Sequence, residues 1–291
     1  MKIQDNTGLC MAIKEVLCVD KKEKISFFDM NKTQLANNVY GLEIKRKKYV
    51  LKEYKYNYDF NLSELLYNIY KKNSINFLKP INKEIINIKG INYNIFNYLS
   101  SCDGIATDEF IINLVKIDRR VNFKSNLISK CDYYYNYLCN LNTHKLEETR
   151  KVLDEYSSIK DNAIFYDCYL NHGDISKSNL LFNNGIPYII DFDEAVVTTE
   201  LYDLAVMIVK LKTNSSNFDY DDVKLLIHKL NDDRYSMEDY KRCIKIYLCK
   251  ILLEKFYLYE IGKINLFDDV QKKDSYLKYL KLLKNADKIK E

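Results

Sequence analysis

The hydrophobic pattern of this chain changes its period near Gly104, and this change restricts the possible folds more than any other feature. Before it, residues 38–45 and 49–54 alternate apolar and polar side chains in the manner of β-strands. After it, apolar residues recur at helical spacing, except in two strand-like segments at 179–182 and 187–192. This order predicts an α+β fold with a β-rich first region and a mainly helical second region that contains an inserted hairpin.

Two further features extend the β-rich region. Ser63 is a candidate N-cap for a helix that follows the first pair of strands. The strand-like segments 84–88 and 91–98 flank Lys89 and Gly90, which are suited to a hairpin turn. These segments add one helix and a second hairpin to the predicted sheet.

Composition excludes several classes of protein. Only 7 glycines and 2 prolines are present, and no two glycines are close enough to form a Rossmann or Walker phosphate loop. The net charge of +4, from 45 basic and 41 acidic residues, argues against a nucleic-acid partner. The 8 cysteines form no CxxC pair, so zinc-ribbon and thioredoxin sites are excluded, and scattered thiols are typical of a reducing cytoplasm. No apolar run reaches the roughly 18–20 residues that a membrane span needs.

Three polar side chains around the inserted hairpin point to phosphoryl transfer. Asp174 precedes its first strand-like segment, Asn179 begins that segment, and Asp191 lies near the end of the second. Phosphoryl transfer needs one carboxylate to orient and deprotonate an acceptor hydroxyl, and oxygen ligands to hold Mg²⁺ on the phosphates. A hairpin between two loops is a rigid means of bringing these oxygens together. A polar turn around a hairpin, without chemistry, is the alternative.

These segments resemble the motifs of the aminoglycoside phosphotransferase/choline kinase superfamily, which is related to the protein kinases. The pattern H-G-D-x-x-x-x-N corresponds to residues 172–179, I-D-F/W-x-x-A to residues 190–195, and the trailing D-L-A to residues 203–205. The resemblance implies a bilobal protein-kinase-like fold, with an N-lobe at 1–99, a hinge at 100–104 and a helical C-lobe at 105–291.

The same resemblance implies roles for individual residues. Asp174 would be the catalytic base, Asn179 and Asp191 would bind Mg²⁺, and His172 would support the loop. ATP would be the phosphoryl donor.

The first region resembles the nucleotide-binding part of the superfamily. Lys52 corresponds to a strand-borne lysine that contacts the α- and β-phosphates, and Glu64 would be its ion-pair partner. The backbone between Ser100 and Cys102 would hydrogen-bond adenine. A surface lysine and an exposed glutamate at the start of a helix are the simpler alternatives. The segment 38–41 lacks the G-x-G-x-x-G of protein kinases, which argues against a protein kinase.

The sequence thus predicts an ATP- and Mg²⁺-dependent phosphotransferase that acts on a hydroxyl of an aminoglycoside-, choline- or sugar-like small molecule. The alternative is a kinase-fold protein of the spore-coat type, with a structural role, weak or no catalysis, and a spore-coat rather than a cytoplasmic location. An acidic stretch hints at a cationic acceptor, although a solvated loop explains it equally well; it contains Asp219, Asp221, Asp222, Asp232 and Asp233.

Overall fold

The fold was analysed in a computed structural model, which describes residues 6–28, 30, 38–54, 60–214, 217–267 and 270–289. The helices, in chain order, are α1 (Thr7–Val16), α2 (Phe60–Lys72), α3 (Asp108–Lys116), α4 (Leu127–Cys139), α5 (Glu148–Ile159), α6 (Tyr202–Leu211), α7 (Tyr220–Leu230), α8 (Met237–Glu260) and α9 (Val270–Asn285). The strands are β1 (Ser26–Phe28), β2 (Asn38–Ile44), β3 (Lys47–Tyr54), β4 (Ile86–Ile88), β5 (Ile91–Asn97), β6 (Tyr169–Asn171), β7 (Leu180–Asn183), β8 (Ile186–Ile189), β9 (Val196–Thr198), β10 (Thr213–Asn214) and β11 (Asn217–Phe218). Short 3₁₀ turns lie at Ala163–Tyr166, Lys177–Asn179 and Ala286–Lys288.

The chain divides into two compact units, each of which is discontinuous in sequence. The first unit comprises the described residues within 1–61, 74–104 and 181–190. The second comprises those within 62–73, 105–180 and 191–291. The predicted lobes are contiguous stretches. In the structure, most of α2 belongs to the second unit, and the β7–β8 hairpin belongs to the first. Within the described residues, no helix is both long and apolar enough to cross a membrane.

The first unit is built on an antiparallel sheet of 5 strands in the order β1-β2-β3-β5-β4. Its core forms where apolar side chains from one face of the sheet meet Leu9 and Ile13 of α1. The predicted turn at Lys89 and Gly90 is confirmed, because both residues have positive φ angles (55° and 82°) between paired strands. Two positive φ angles match the twist of a tight hairpin.

The second unit surrounds α8, a helix of 24 residues that packs against α4, α5, α6 and α9. A capping box starts this helix: the Ser236 side chain accepts from the Asp239 amide, and the Asp239 side chain accepts from the Ser236 amide. Because the helix is surrounded, its buried residues cover more than one face, and they include Ile244, Tyr247 and Leu248. The mainly helical second region predicted from the pattern is therefore confirmed.

The start of α2 differs from the prediction. Ser63 is not an N-cap, because the helix already begins at Phe60. The Ser63 side chain is instead buried, and its hydroxyl donates to the backbone oxygen of Phe192 at 3.1 Å. The local sequence favours a serine cap, whereas in the structure Ser63 lies inside the helix, close to the buried side chains of Leu62 and Leu66.

Candidate active site

The loop between β6 and β7 contains Asp174 and Asn179, two of the predicted catalytic and metal-binding residues, and its first turn requires a glycine. Gly173 has a φ of +82°, which residues with a Cβ rarely adopt. A Cβ at this position would also lie 2.2 Å from the backbone oxygen of Glu194. The glycine therefore allows the catalytic loop to approach the segment that follows Asp191.

A buried carboxylate, Asp203 at the start of α6, holds this turn in place. Its Oδ2 accepts from the His172 amide and its Oδ1 from the Gly173 amide, both at 2.9 Å. Arg119 donates to Oδ2 at 2.6 Å, and both side chains of this ion pair are fully buried. Charge-assisted hydrogen bonds in a low-dielectric interior are strong. The backbone of the loop is thus fixed by a carboxylate that does not reach solvent.

Arg119 also ties two other segments to this anchor. Its Nη1 donates to Asn171 Oδ1 at 3.1 Å, and its Nη2 donates to the Glu200 backbone oxygen at 2.9 Å. The Asn171 amide group donates to the backbone oxygens of Tyr169 and Thr199. Neither Arg119 nor Asn171 was predicted from the sequence to have a role. A signal existed for Arg119, since only 6 of the 45 basic residues are arginine and a guanidinium is preferred where several fixed acceptors must be met.

His172 lies inside the unit and contacts the loop rather than solvent. Its ring is fully buried and packs against Phe192 with a centroid distance of 4.7 Å. Its Nδ1 accepts from the Asp174 amide at 3.3 Å. Phe192 in turn contacts Tyr67 and Tyr70 of α2 at 4.6 and 5.7 Å. The geometry agrees with the supporting role predicted for His172.

Asp174 and Asn179 lie side by side. The Asn179 Nδ2 donates to the backbone oxygen of Asp174 at 2.8 Å and to its Oδ2 at 2.9 Å. Asn179 is buried, whereas the Asp174 side chain is 32% exposed. The asparagine thus orients a carboxylate that remains accessible, while its own amide oxygen is the atom suited to a cation.

A lysine that the sequence analysis did not identify lies beside this carboxylate. Lys210, on α6, places its Nζ 3.5 Å from Asp174 Oδ1 and 5.7 Å from the centre of the Tyr279 ring. Burial lowers the pKa of Lys210 more than any other single effect, but the charges and hydrogen bonds of Asp174 and Tyr279 together outweigh it, and the pKa is raised. The ammonium group is therefore charged next to the predicted base.

Asp191 lies two residues after the end of β8 and has an unusual backbone. Its φ is +66°, a left-handed conformation that aspartate tolerates better than most residues. The carboxylate of Asp191 and the amide oxygen of Asn179 are both hard oxygen donors, a donor set that fits Mg²⁺. Among the described residues, no group of three or more His, Cys, Asp or Glu side chains is placed to hold a metal ion.

The segment after Asp191 is held by a second ion pair. Lys250 on α8 lies 2.5 Å from Glu194, and Lys130 on α4 donates to the Ala195 backbone oxygen at 3.3 Å. The charge of Lys250 keeps the pKa of Glu194 below its usual value despite burial. These lysines fix the stretch whose backbone touches Gly173.

The predicted nucleotide-side residues lie mainly in the first unit. Lys52, on the central strand β3, is 7% exposed, and its Nζ lies 4.9 Å from the centre of the Tyr54 ring. Ser100 and Cys102 are exposed, and Glu64 is an exposed residue of α2 in the second unit. The Lys52–Glu64 pair and the adenine contact stay predictions.

The backbone amide of Cys102 already has a partner. It donates to the backbone oxygen of Phe182 at 2.9 Å, which joins the 99–104 stretch to β7. Gly104 lies against the Phe182 ring, where a Cβ would come within 2.2 Å of a ring atom. The Cys102 amide is therefore used inside the first unit.

The acidic stretch that hinted at a cationic acceptor has local partners. Asp219 caps α7 by accepting from the Asp222 amide. The Asp222 carboxylate lies 2.8 Å from Lys212, and Asp232 lies 2.6 Å from Arg234. Asp219 is therefore a cap and Asp222 and Asp232 are ion-pair partners, while Asp221 and Asp233 are exposed; a cationic acceptor stays a prediction.

The structure has a protein-kinase-like fold, as predicted. A β-sheet region comes first, and a helical region with an inserted hairpin and the anchored loop follows it. The choline kinase LicA from Streptococcus pneumoniae has a similar structure, with a TM-score of 0.66 and 15% identity over 94% of this chain and 98% of that chain. The structure of LicA in complex with AMP has a TM-score of 0.67 and 15% identity, over 95% of this chain and 98% of that chain. A thermostable mutant of aminoglycoside phosphotransferase APH(4)-Ia, in a ternary complex with ADP and hygromycin B, is also similar. Its TM-score is 0.61 and its identity 11%, over 96% of this chain and 98% of that chain.

Sequence comparison gives a narrower match. Residues 167–237 match the model of the family described as "Phosphotransferase enzyme family", a span that includes Asp174, Asn179, Asp191 and Asp203. The resemblance to the aminoglycoside phosphotransferase/choline kinase superfamily is thereby confirmed. The spore-coat branch stays a prediction. No curated protein is significantly similar to this chain in sequence.

Proposed function

We propose that this protein transfers the γ-phosphoryl group of ATP to a hydroxyl of a small molecule. The observation that carries the proposal is the Asp174 carboxylate, which is accessible but held by Asn179 on a loop whose backbone is fixed by Asp203. Preorganised polar groups of this kind are what phosphoryl transfer needs, because positioning and electrostatics supply most of its catalysis. The similar structures include a choline kinase and an aminoglycoside phosphotransferase bound to ADP and hygromycin B, which supports the same class of reaction.

In the proposed reaction, Asp174 acts as the base. The acceptor hydroxyl oxygen forms a bond to the γ-phosphorus while the bond from that phosphorus to the β–γ bridging oxygen breaks, and its electron pair leaves with ADP. The hydroxyl proton passes to the Asp174 carboxylate and then to solvent. Asn179 keeps the carboxylate oriented toward the acceptor through its hydrogen bond to Oδ2.

Asn179 and Asp191 would hold Mg²⁺ through an amide oxygen and a carboxylate. The ion, when bound, neutralises part of the charge on the phosphates. Asn179 can serve both tasks because its Nδ2 contacts Asp174 and leaves its Oδ1 for a cation.

On the nucleotide side, we propose that Lys52 contacts the α- and β-phosphates and that Glu64 is its ion-pair partner. Lys52 lies on a central strand with its side chain 7% exposed, which restricts the positions its ammonium group can take. Adenine would be bound by the backbone between Ser100 and Cys102. The Cys102 amide already donates to the Phe182 backbone oxygen, so the hydrogen bonds to adenine would come from the other backbone groups between Ser100 and Cys102.

The central test is the variant Asp174→Ala, assayed for ADP formation with a panel of hydroxyl acceptors. We expect a fall in kcat on the order of 10³-fold or more, because the base is removed. The affinity for Mg·ATP should stay the same, since Asp174 has no proposed nucleotide contact. Lys224→Gln, which alters an exposed lysine of α7, is the control and should keep full activity. Near wild-type turnover by Asp174→Ala would refute the mechanism.

A thermal-shift measurement separates the enzyme from the spore-coat alternative. A phosphotransferase is stabilised by Mg·ATP, by about 2.7 kcal/mol when the ligand is present at 100 times its Kd. A kinase-fold protein with a purely structural role would show no shift at millimolar nucleotide.

A further inference from the structure

The four residues after Asp191 form a turn whose backbone is connected to two helices of the second unit. The Ala195 amide donates to the Phe192 backbone oxygen at 3.3 Å, which closes the turn. The Phe192 oxygen also accepts from the hydroxyl of Ser63 on α2 at 3.1 Å. The Ala195 oxygen accepts from Lys130 on α4 at 3.3 Å. The turn 192–195 is thus joined to α2 and α4 through its backbone oxygens.

A side-chain contact joins the same turn to α8. Lys250 of α8 lies 2.5 Å from Oε2 of Glu194, which is inside the turn. The two members of this pair differ in burial, because the Lys250 side chain is 11% exposed and the Glu194 side chain is 47% exposed. The lysine is therefore fixed within the packing of the second unit, and the glutamate contacts it from the loop.

The Lys250–Glu194 pair accounts better for the position of the turn than for the stability of the unit. Removal of an ammonium group from water is costly, and replacement of a buried ion pair by apolar side chains is often neutral or stabilising. Glu254, one helical turn further along α8, also acts electrostatically on Lys250. Because Glu254 and Lys250 belong to the same helix, an interaction between them does not fix the loop.

The backbone of Asp191 explains why this turn needs to be fixed. Its φ of +66° costs free energy in a residue with a Cβ, and such a conformation persists only where the surrounding structure holds it. The direction of the Asp191 side chain follows from this backbone conformation. Release of Glu194, three residues later, would allow the turn and the Asp191 backbone to relax together.

We propose that Lys250 is a positioning residue: by holding Glu194 it fixes the turn 192–195 and keeps the Asp191 carboxylate oriented for Mg²⁺ binding. This inference rests on the proposed function and adds a residue that acts through another side chain rather than on the substrate. Groups that orient a metal ligand from outside the coordination shell change metal affinity or activity by about 10–100-fold when they are removed.

The test is Lys250→Met, with Lys245→Met as the matched control. Both lysines belong to α8 and are little exposed, but Lys245, at 13%, pairs with Glu155 and Asp287 instead of the turn. Calorimetric titration measures the affinity for the ATP analogue AMP-PNP, once with Mn²⁺ and once with EDTA. Lys250→Met should weaken binding of Mn·AMP-PNP by about 10-fold and leave metal-free AMP-PNP unchanged. Lys245→Met should change neither affinity.

Catalysis should show the same dependence on the metal. At saturating ATP, Lys250→Met should raise the Mg²⁺ concentration for half-maximal ADP formation by about 10-fold, with KM for the acceptor unchanged. A general loss of folded protein would lower the rate equally at all Mg²⁺ concentrations. The shift along the Mg²⁺ axis is therefore the readout that a merely structural role does not produce.

Stability measurements separate loss of positioning from loss of structure. In Lys250→Met the Glu194 carboxylate is left partly exposed to water, so the urea midpoint of unfolding should stay near that of the wild type. Glu194→Gln removes the pair from the other side and leaves a buried ammonium, so it should weaken Mn·AMP-PNP binding as well and lower the midpoint. The double variant Glu194→Gln/Lys250→Met should recover the midpoint but not the affinity for Mn·AMP-PNP.

Three results would overturn the inference while leaving the proposed function intact. The first is wild-type affinity for Mn·AMP-PNP in Lys250→Met, or in the double variant. The second is an equal loss of affinity for metal-free AMP-PNP, which would show that the effect does not act through the metal. The third is the same loss in Lys245→Met, which would assign the effect to α8 in general. Failure of the wild type to bind AMP-PNP with or without Mn²⁺ would contradict the proposed function itself.

Discussion

Asp203 and Asp174 lie close to the same loop of the second unit, yet their surroundings differ in almost every respect. Asp203 is fully buried and accepts from two backbone amides and from Arg119. Asp174 is about one-third exposed and is contacted by Asn179 and, at 3.5 Å, by Lys210. The first carboxylate has little capacity left for a substrate, whereas the second is accessible to one.

This contrast separates a carboxylate that shapes the loop from one that is suited to act on a substrate. A buried charge with fixed donors contributes to structure, because moving or neutralising it leaves its partner uncompensated. A partly exposed carboxylate with few contacts can exchange protons and meet a hydroxyl. Loss of the negative charge should therefore lower the free energy of unfolding strongly at Asp203 and only slightly at Asp174. Variants of these carboxylates, of the turn that Asp203 holds and of Asp108 test how burial sets such effects.

The largest effect is expected from Asp203→Asn. Removal of this charge leaves the Arg119 guanidinium buried and unpaired, and the free energy of unfolding should fall by about 3–5 kcal/mol. Asp174→Asn removes the same charge from a partly exposed site and should change that free energy by less than about 1 kcal/mol. Urea denaturation followed by circular dichroism measures both variants.

The double variant Arg119→Met/Asp203→Asn provides the control for this comparison. It removes both charges, and it should recover part of the stability lost in Asp203→Asn. Equal losses in Asp203→Asn and Asp174→Asn would contradict the distinction between the two carboxylates.

The next effect concerns the turn that Asp203 holds. Gly173→Ala introduces both a left-handed alanine and a Cβ 2.2 Å from the Glu194 backbone oxygen, and it should lower the free energy of unfolding by about 2–4 kcal/mol. Gly185→Ala is the matched variant, because Gly185 also has a positive φ (77°) but no atom within 4 Å of its Cβ position. Gly185→Ala should lower the free energy of unfolding only by the cost of a left-handed alanine, about 1–2 kcal/mol. Similar losses in both variants would show that the approach to Glu194 has no cost.

The smallest effect concerns Asp108, whose burial lies between the two carboxylates. It accepts from Lys212 and Lys229 at 2.7 Å each, and these hydrogen bonds hold its pKa below the usual 3.8. Because the folded pKa is the lower one, this contribution is complete above about pH 3.8 and is lost as the pH falls through the folded pKa. Asp108→Asn should cost about 1 kcal/mol at pH 7 and less at low pH.

Denaturation at a series of pH values between 7 and the acid limit of folding, for wild type and Asp108→Asn, measures this dependence. A difference between the two proteins that stays constant over the series would contradict the assignment. Glu109→Gln, an exposed substitution in the same helical turn, serves as the control for a general loss of negative charge.

Much of the fold was predictable from local patterns. The alternation in 38–45 and 49–54 gave two strands of the sheet, and the helical spacing after Gly104 gave the helical region. Spacing and the family resemblance grouped Asp174, Asn179 and Asp191 around one hairpin; the structure places Asn179 against Asp174, and a site that includes Asp191 stays a prediction. Their assigned roles stay predictions until the variants are measured.

The residues that sequence reasoning missed come from distant parts of the chain. Arg119 lies far in sequence from Asp203, and Lys210 belongs to a helix whose apolar pattern gives no sign of a polar contact. Ser63 illustrates the opposite error, since its preference for a cap is local whereas its burial against Phe192 is not. Local propensities amount to about 1 kcal/mol, so burial of several side chains overrides them.

By itself, the sequence determined which segments became strands and helices and which oxygen-bearing side chains border the hairpin, because these depend on the order and period of neighbouring residues. Only the tertiary structure decided which carboxylate became an anchor and which stayed accessible. Asp203 and Asp174 are the same residue type in one short region, and burial beside Arg119 or partial exposure beside Lys210 sets their difference. Burial depends on how remote helices pack, which no local pattern specifies.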